Sequence, residues 1–159
     1  MRVGTGFDVH RFKDGGQLYL GGVEIPFTKS LIGHSDADVV IHAVIDAILG
    51  SIAARDIGSH FSDTDMKYKD VSSIELLEKI KKVVTDEGFI IVNVDVTAIL
   101  EEPKISEYRQ AMSETMAAAL GLDGSKVSVK ATTSEGLGFT GRGEGIAAQA
   151  VALVDEKVI

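Results

Sequence analysis

Cysteine is absent from this 159-residue chain. No disulfide framework and no thiolate metal site can exist, so any bound metal must be held by histidine and carboxylate. Cations are outnumbered: 16 Lys and Arg face 24 Asp and Glu, for a formal charge of -8. That balance disfavours nucleic acid, which is bound by neutralising many phosphates with Lys and Arg. A small phosphorylated ligand stays compatible where local positive charge overrides the global field. No apolar run approaches the roughly 20 residues of a membrane helix. The N-terminus, Met1-Arg2-Val3-Gly4, runs into strand-like sequence instead of the apolar segment of a signal peptide. A cytoplasmic protein that binds neither membrane nor nucleic acid is the expectation. Little in the chain looks like an activated nucleophile.

What is present is ordinary in bulk. A hydrophobic fraction of 45% and a charged fraction of 25% suit a globular protein. The length suits one domain, here residues 1–159, with a substantial core. Arg2 to Phe12 reads as a glycine-containing strand and Gln17 to Gly21 as a short second one. From Asp36 to Gly50 the period becomes helical, with Val40, Ala43, Val44, Ala47 and Ile48 on one face. Ser35 or Asp36 would cap its start. Arg55 to Asp70 has no periodicity and reads as a long surface loop, the kind that serves as a lid. Ser72-Ser73-Ile74-Glu75 opens a second helix with a capping-box pattern.

Phe89 to Leu100 alternates as a strand, with Ile90, Val92, Val94, Val96, Ala98 and Leu100 predicted to share one face. Pro103 reads as the first residue of a helix running to Gly121. Val127 to Ala131 and Gly145 to Asp155 are the remaining strands. The last is apolar on both faces apart from Gln149, so both faces need cover. The expected fold is α/β (α+β), a four-stranded sheet with helices on one face. Its other face would pack against another copy of the chain.

Chemistry concentrates in a few places. Asp8 and His10 are two apart on a strand, so both point the same way. His42 arrives from a helix. One carboxylate and two imidazoles are the ligand number of a catalytic zinc site, which keeps a position open. Plain strand alternation and a satisfied core histidine are the competing accounts. Asp38, His42 and Asp46 are spaced by four, so a carboxylate beside His42 would fix its tautomer; ordinary pairing on a solvated helix edge competes. His34-Ser35 precedes the helix, where an anion site and a simple cap are both compatible. Gly138-Phe139-Thr140-Gly141-Arg142-Gly143-Glu144-Gly145 is neither a Walker loop nor a Rossmann fingerprint. Its glycines would present Arg142 to a phosphate or carboxylate, or would form a hairpin turn with a buried ion pair. Lys130-Ala131-Thr132-Thr133-Ser134-Glu135 sets a cation, hydroxyls and an acid at a strand end, suited to phosphate and Mg²⁺ or to a simple polar exit.

In order and spacing, these elements resemble the 2-C-methyl-D-erythritol 2,4-cyclodiphosphate synthase family over nearly the whole chain. The likeness rests on Gly6-Phe7-Asp8-Val9-His10, His34-Ser35-Asp36, Asp56-Ile57-Gly58, Phe61-Ser62-Asp63-Thr64-Asp65, Asn93-Val94-Asp95, Pro103-Lys104, Lys130-Ala131-Thr132-Thr133 and the Gly138-to-Gly145 block. The resemblance implies a homotrimer of ferredoxin-like subunits, sheets facing the threefold axis and active sites at subunit interfaces. It implies zinc on Asp8, His10 and His42, and Mg²⁺ or Mn²⁺ on Glu135 with the substrate's phosphates. His34 and Thr133 would orient the reacting diphosphate. Val9, Ser35, Thr132 and Ser134 would add substrate contacts beside them. Asp56, Ile57 and Gly58 would contact ribose or substrate hydroxyls. Phe61, Ser62, Asp63, Thr64 and Asp65 would cover the methylerythritol part as a lid. Leu100, Glu101, Glu102, Pro103, Lys104, Ile105 and Ser106 would form the cytosine pocket, read by backbone groups, with both acids pointing outward. Family trimers can enclose an axial cavity for isoprenoid phosphates near Phe139 and Arg142; Gln149 is neutral where some members carry an acid.

The implied reaction converts 4-diphosphocytidyl-2-C-methyl-D-erythritol 2-phosphate to the cyclic 2,4-diphosphate plus CMP. Its nucleophile belongs to the substrate, which accounts for the missing Ser or Cys nucleophile. Two other readings of the same residues are a metal-dependent phosphohydrolase and a non-catalytic trimeric nucleotide-binding module.

Overall fold

The computed structural model describes residues 1–157. Five strands form the main sheet, in the order β4-β1-β7-β5-β6. They are β1 (Arg2–Asp14), β4 (Lys29–Leu31), β5 (Phe89–Ile99), β6 (Val127–Thr132) and β7 (Gly145–Glu156). β5 and β6 run parallel; the other neighbours are antiparallel. β2 (Leu18–Leu20) and β3 (Val23–Ile25) form a separate hairpin. The four-stranded expectation is therefore corrected to five. The added strand is three residues long and carries no alternation of its own. Its pairing of Phe12 with Leu31 is a long-range contact that local pattern does not report.

The helices α1 (Val39–Ser51), α3 (Ser73–Asp86) and α4 (Arg109–Leu120) cover one sheet face. The short helix α2 (Ile57–His60) and a 3₁₀ turn (Met66–Tyr68) lie in the segment read as an open loop. α1 is apolar nearly all round because it is buried nearly all round, from Val39 to Leu49. It lies directly on the glycines of β1. A β-carbon on Gly4 would sit 2.1 Å from the Ala47 carbonyl oxygen, and one on Gly6 would sit 2.0 Å from that of Ala43. Two missing side chains thus set the depth of the helix, and with it the position of His42.

Several boundaries differ from expectation. Asp38, not Ser35 or Asp36, caps α1 by accepting the Ile41 N–H at 3.1 Å. Ser72 makes no side-chain cap for α3; Asp36 reaches in from another loop and accepts the Ser73 N–H at 2.9 Å. Pro103 does not open a helix. It follows a cis peptide bond after Glu102 and sits buried in a loop, and α4 begins at Arg109 after a 3₁₀ turn (Ser106–Tyr108). β5 carries a register shift between Ile91 and Asn93. Ile90 is consequently exposed and Ile91 buried, while Val94, Val96 and Ala98 keep their predicted inward face.

The uncovered face of the sheet carries an apolar patch beside polar residues such as Thr5, Gln149 and Lys130. Odd-numbered residues of β1 and β7 project there, with Val3 65%, Phe7 58%, Val9 39% and Val151 39% exposed. The expectation that both faces of β7 be covered is met on the helix side only: beside Val151, Gln149 is also exposed within one chain.

Candidate metal centre and active-site cleft

Asp8 and His10 occupy the helix-side face of β1, and α1 brings His42 against them. Their ligating atoms lie within 4.8 Å of one another, so the group could hold a metal ion. Asp8 Oδ2 is 2.9 Å from His10 Nε2 and 3.2 Å from His42 Nδ1, and the two nitrogens are 3.1 Å apart. Val9, between the two ligand candidates, projects to the opposite sheet face.

The far nitrogens of both rings are engaged. His10 Nδ1–H donates to the Ile32 carbonyl at 2.6 Å. A neutral His10 must then turn an Nε2 lone pair into the centre. His42 Nε2 is 3.0 Å from Ser73 Oγ and 3.1 Å from Ser35 Oγ. The Ser73 hydroxyl donates to the Asp36 carboxylate. Its oxygen is therefore left to accept the His42 Nε2–H, and Nδ1 faces Asp8 and His10 unprotonated. Two imidazole lone pairs and one carboxylate oxygen converge, a donor set that fits a divalent cation.

Before a cation binds, the same ring nitrogens compete for protons that they share with Asp8. Burial raises the Asp8 carboxyl, but hydrogen bonds from His10 and His42 outweigh it and hold the group well below the usual carboxylate range. Burial lowers His10, yet the hydrogen bond and charge of Asp8 leave it above the ordinary histidine value.

The predicted carboxylate partners of His42 have other tasks. Asp38 is fully buried and accepts the Gly21 N–H at 2.9 Å and the Gly22 N–H at 2.7 Å. Burial, then the charge of Asp36, pushes its carboxyl up. Asp46 accepts the Ile57 N–H at 2.7 Å and anchors the start of α2. The carboxylate behind His42 is instead Asp36, acting through Ser73. Asp36 stood in a recognised motif, but local spacing carried no sign of its link to Ser73, 37 residues away.

The three candidates open into a cleft of about 420 Å³ that also includes His34, Ser35, Ile57, Gly58, Phe61 and Asp63. His34 Nε2–H donates to the Asp65 carbonyl at 3.2 Å, tying this wall to the Phe61–Asp65 segment. Ser62 and Thr64 bond each other at 2.8 Å, and Asp65 pairs with Lys67 at 2.9 Å. Asp56 does not line the cleft. It caps α2 by accepting the Ser59 N–H at 2.9 Å and the Ser59 hydroxyl at 2.7 Å.

A second cavity of about 230 Å³ gathers Leu100, Pro103, Lys104, Ile105, Ser106, Ala131, Thr132 and Thr133. It shares no lining residue with the first. Glu102 is exposed, as expected. Glu101 is not: it turns inward and its Oε1 accepts the Ser134 N–H at 3.0 Å. Thr133 Oγ1–H donates to Glu135 Oε1 at 3.2 Å. Lys130 is held away from this turn by Asp95, 2.6 Å distant. Phe139 lies on a short helix, α5 (Gly138–Gly141), and Arg142 follows it in an exposed pair with Glu144 at 2.8 Å. The glycine-rich block is therefore a helical turn, and its ion pair is not buried. A third cavity, about 450 Å³, includes Lys13, Tyr19, Ser30 and Asp70 and meets the first at Gly33 and Ser35.

A model of the YgbB family matches residues 1–155. The 2-C-methyl-D-erythritol 2,4-cyclodiphosphate synthase of Desulfatibacillum aliphaticivorans is 57% identical over 155 residues, spanning 98% of this chain and 100% of its own length. The bifunctional IspDF structure from Campylobacter jejuni aligns with a TM-score of 0.94 at 42% identity, over 98% of this chain and 42% of that one. The Plasmodium falciparum IspF structure in complex with CDP aligns with a TM-score of 0.86 at 32% identity, over 99% of this chain and 97% of that one.

Proposed function

The chain belongs to the YgbB family, and from that premise we propose that it cyclises 4-diphosphocytidyl-2-C-methyl-D-erythritol 2-phosphate and releases CMP. It is an enzyme, a cyclising phosphorus–oxygen lyase of isoprenoid biosynthesis by the non-mevalonate route. The observation that carries the reading is the convergence of Asp8, His10 and His42 in a cleft of about 420 Å³, on a chain this similar to named synthases.

An oxygen of the substrate's 2-phosphate forms a bond to the β-phosphorus. The bond from that phosphorus to the bridging oxygen breaks, and the oxygen leaves with CMP. No water enters. The attacking phosphate monoester has its second pKa near ~6, so it is mostly dianionic at neutral pH and needs no protein base. The obstacles are repulsion between anions and the entropy of closing a ring. Holding the two ends together lowers such barriers by up to ~7–11 kcal/mol in favourable intramolecular cases.

Asp8, His10 and His42 would hold zinc, and Glu135 with the substrate's phosphates would hold Mg²⁺ or Mn²⁺. Bound there, divalent cations supply charge neutralisation at the diphosphate. His34 and Thr133 orient the diphosphate by hydrogen bonding. Ser35, Thr132 and Ser134 add donors around it. Gly58, in the cleft wall, and Asp56, exposed beside it at the cap of α2, meet substrate hydroxyls, and Phe61 to Asp65 covers the methylerythritol part. The cavity between Leu100 and Ser106 takes the cytosine, through backbone groups.

One chain carries both cavities, lined by separate residues. A homotrimer would bring the cleft of one copy to the cytosine cavity of its neighbour. The exposed Val3, Phe7, Val9 and Val151 support packing of that sheet face around an axis. Phe139 and Arg142 are the candidates for an isoprenoid phosphate in an axial cavity, where Arg142 would exchange Glu144 for the ligand. Residues 1–159 act as one cytoplasmic domain in this reading. Among the described residues, no helix is long and apolar enough to cross a membrane.

Product mass spectrometry tests the reaction. The expected products are CMP and a cyclic diphosphate without added water. A product one water heavier would establish a phosphohydrolase instead. Asp8→Ala and His42→Ala should abolish CMP release while the fold survives. Unchanged release from metal-stripped variants would refute the zinc assignment.

A further inference from the structure

One side chain joins the wall of the smaller cavity to the turn that carries Glu135. Glu101 Oε1 accepts the Ser134 N–H at 3.0 Å and the Gly136 N–H at 3.3 Å. Two amides aimed at one anionic oxygen form a nest. They flank Glu135, whose φ of 54° is left-handed. Non-glycine residues keep that conformation only where their surroundings impose it. On the other side of the turn, Thr133 Oγ1 accepts the Glu135 N–H at 3.3 Å and donates to the Glu135 carboxylate at 3.2 Å. The backbone of Glu101 is tied to the cavity as well: its carbonyl accepts from Lys104 Nζ at 3.0 Å. Next to it, the Leu100 N–H donates to the Thr132 carbonyl at 3.0 Å.

We propose that Glu101 is a positioning residue: its inward carboxylate locks the Thr133–Gly136 turn to the nucleotide loop, so that the aim of Thr133 and Glu135 is set together with the shape of the cytosine cavity. The proposal rests on the roles given above to Thr133, Glu135 and the Leu100–Ser106 loop. The brace itself is geometric. What it requires of residue 101 is an acceptor oxygen at a given reach, more than a negative charge.

Three variants of the full-length protein separate reach from charge. Glu101→Gln keeps an acceptor oxygen at the same reach, Glu101→Asp keeps the charge but withdraws the oxygen by one methylene, and Glu101→Ala removes both. Amide hydrogen exchange at Ser134 and Gly136, read by NMR, should accelerate about tenfold in Glu101→Asp and Glu101→Ala, the scale of one hydrogen bond to a charged group. Glu101→Gln should stay close to the parent. Turnover should follow the same order, and the Mg²⁺ concentration for half-maximal rate should rise in Glu101→Asp. The opposite order, with Glu101→Asp intact and Glu101→Gln impaired, would show a charge effect and overturn the proposal. Identical exchange in all variants would overturn it too. Should Glu101→Ala not fold, as judged by its melt, the Asp and Gln variants decide alone. A parent protein that released no CMP and bound no CDP would instead refute the functional reading, while the exchange pattern would still judge the brace.

Discussion

Gly6→Ala should unseat the candidate metal centre from behind. The new β-carbon would lie 2.0 Å from the Ala43 carbonyl oxygen and 2.7 Å from the Ala47 nitrogen. Both obstacles are backbone, so no rotamer change relieves them. An ordinary carbon–oxygen approach is about 3.3 Å, so α1 must withdraw by about 1.3 Å at this point. His42 precedes Ala43 and moves with it, away from Asp8 and His10. Overpacking costs about 1–3 kcal/mol in general, and a rigid backbone obstacle puts this case at the upper end. For a chain of this length the melting temperature should fall by about 6–12 °C. Zinc affinity, measured by chelator competition, should fall about 100-fold, the upper range seen when the support of a metal ligand is lost. Gly50→Ala is the control. Its β-carbon would meet the Thr5 carbonyl oxygen at 3.7 Å, an ordinary contact. Replacing a helical glycine should there stabilise by about 0.5–1 kcal/mol. The reasoning is refuted if Gly6→Ala melts and binds zinc like the parent, or if Gly50→Ala does equal damage.

Ser73→Ala removes the oxygen that orders the His42 proton, so zinc affinity should drop about 10–100-fold with little change in the fold; an unaltered dissociation constant would leave Ser73 a helix residue only. The metal-free centre should respond to pH at both ends. The raised His10 stabilises fully below its unfolded value of 6.5, and that contribution is lost as pH rises through its higher folded value. The depressed Asp8 stabilises above 3.8, and its contribution is lost as pH falls through its lower folded value. Zinc needs His10 without its proton, so affinity should rise about tenfold per pH unit below the folded His10 value and level off above it. A flat titration would count against His10 as a ligand. Phe7→Asp, on the open sheet face, should reduce the proposed trimer to single chains in light scattering while circular dichroism stays unchanged. A trimer indifferent to that charge would place the interface elsewhere.

Much of the site was legible because its residues declare their direction locally. Alternation on β1 puts Asp8 and His10 on one face whatever the strand packs against, and the helical period of Val39 to Leu49 identifies α1. Leu100, Pro103, Lys104, Ile105 and Ser106 line one cavity with Thr132 and Thr133, a grouping that chain order did not announce. Other assignments failed where the deciding partner was remote. Asp38 is four residues from His42, yet the folded chain spends its carboxylate on Gly21 and Gly22. Asp36 and Ser73 meet only because the loop before α1 folds against the start of α3. Glu101 looked like a surface acid because nothing adjacent in sequence needs an acceptor; the amides that use it are 33 and 35 residues away. The bulge after Ile91 reverses two side chains within an otherwise regular pattern.

The order of residues by itself determined the long strands and the main helices, which way Asp8 and His10 point, and the family whose motifs the chain carries. Periodicity is a property of one element, and motif spacing is a property of the chain. Only the tertiary structure decided how deep α1 lies on Gly4 and Gly6, which carboxylate steadies His42, and where Glu101 turns. Those outcomes depend on distances between elements, and such distances come from packing the whole core at once.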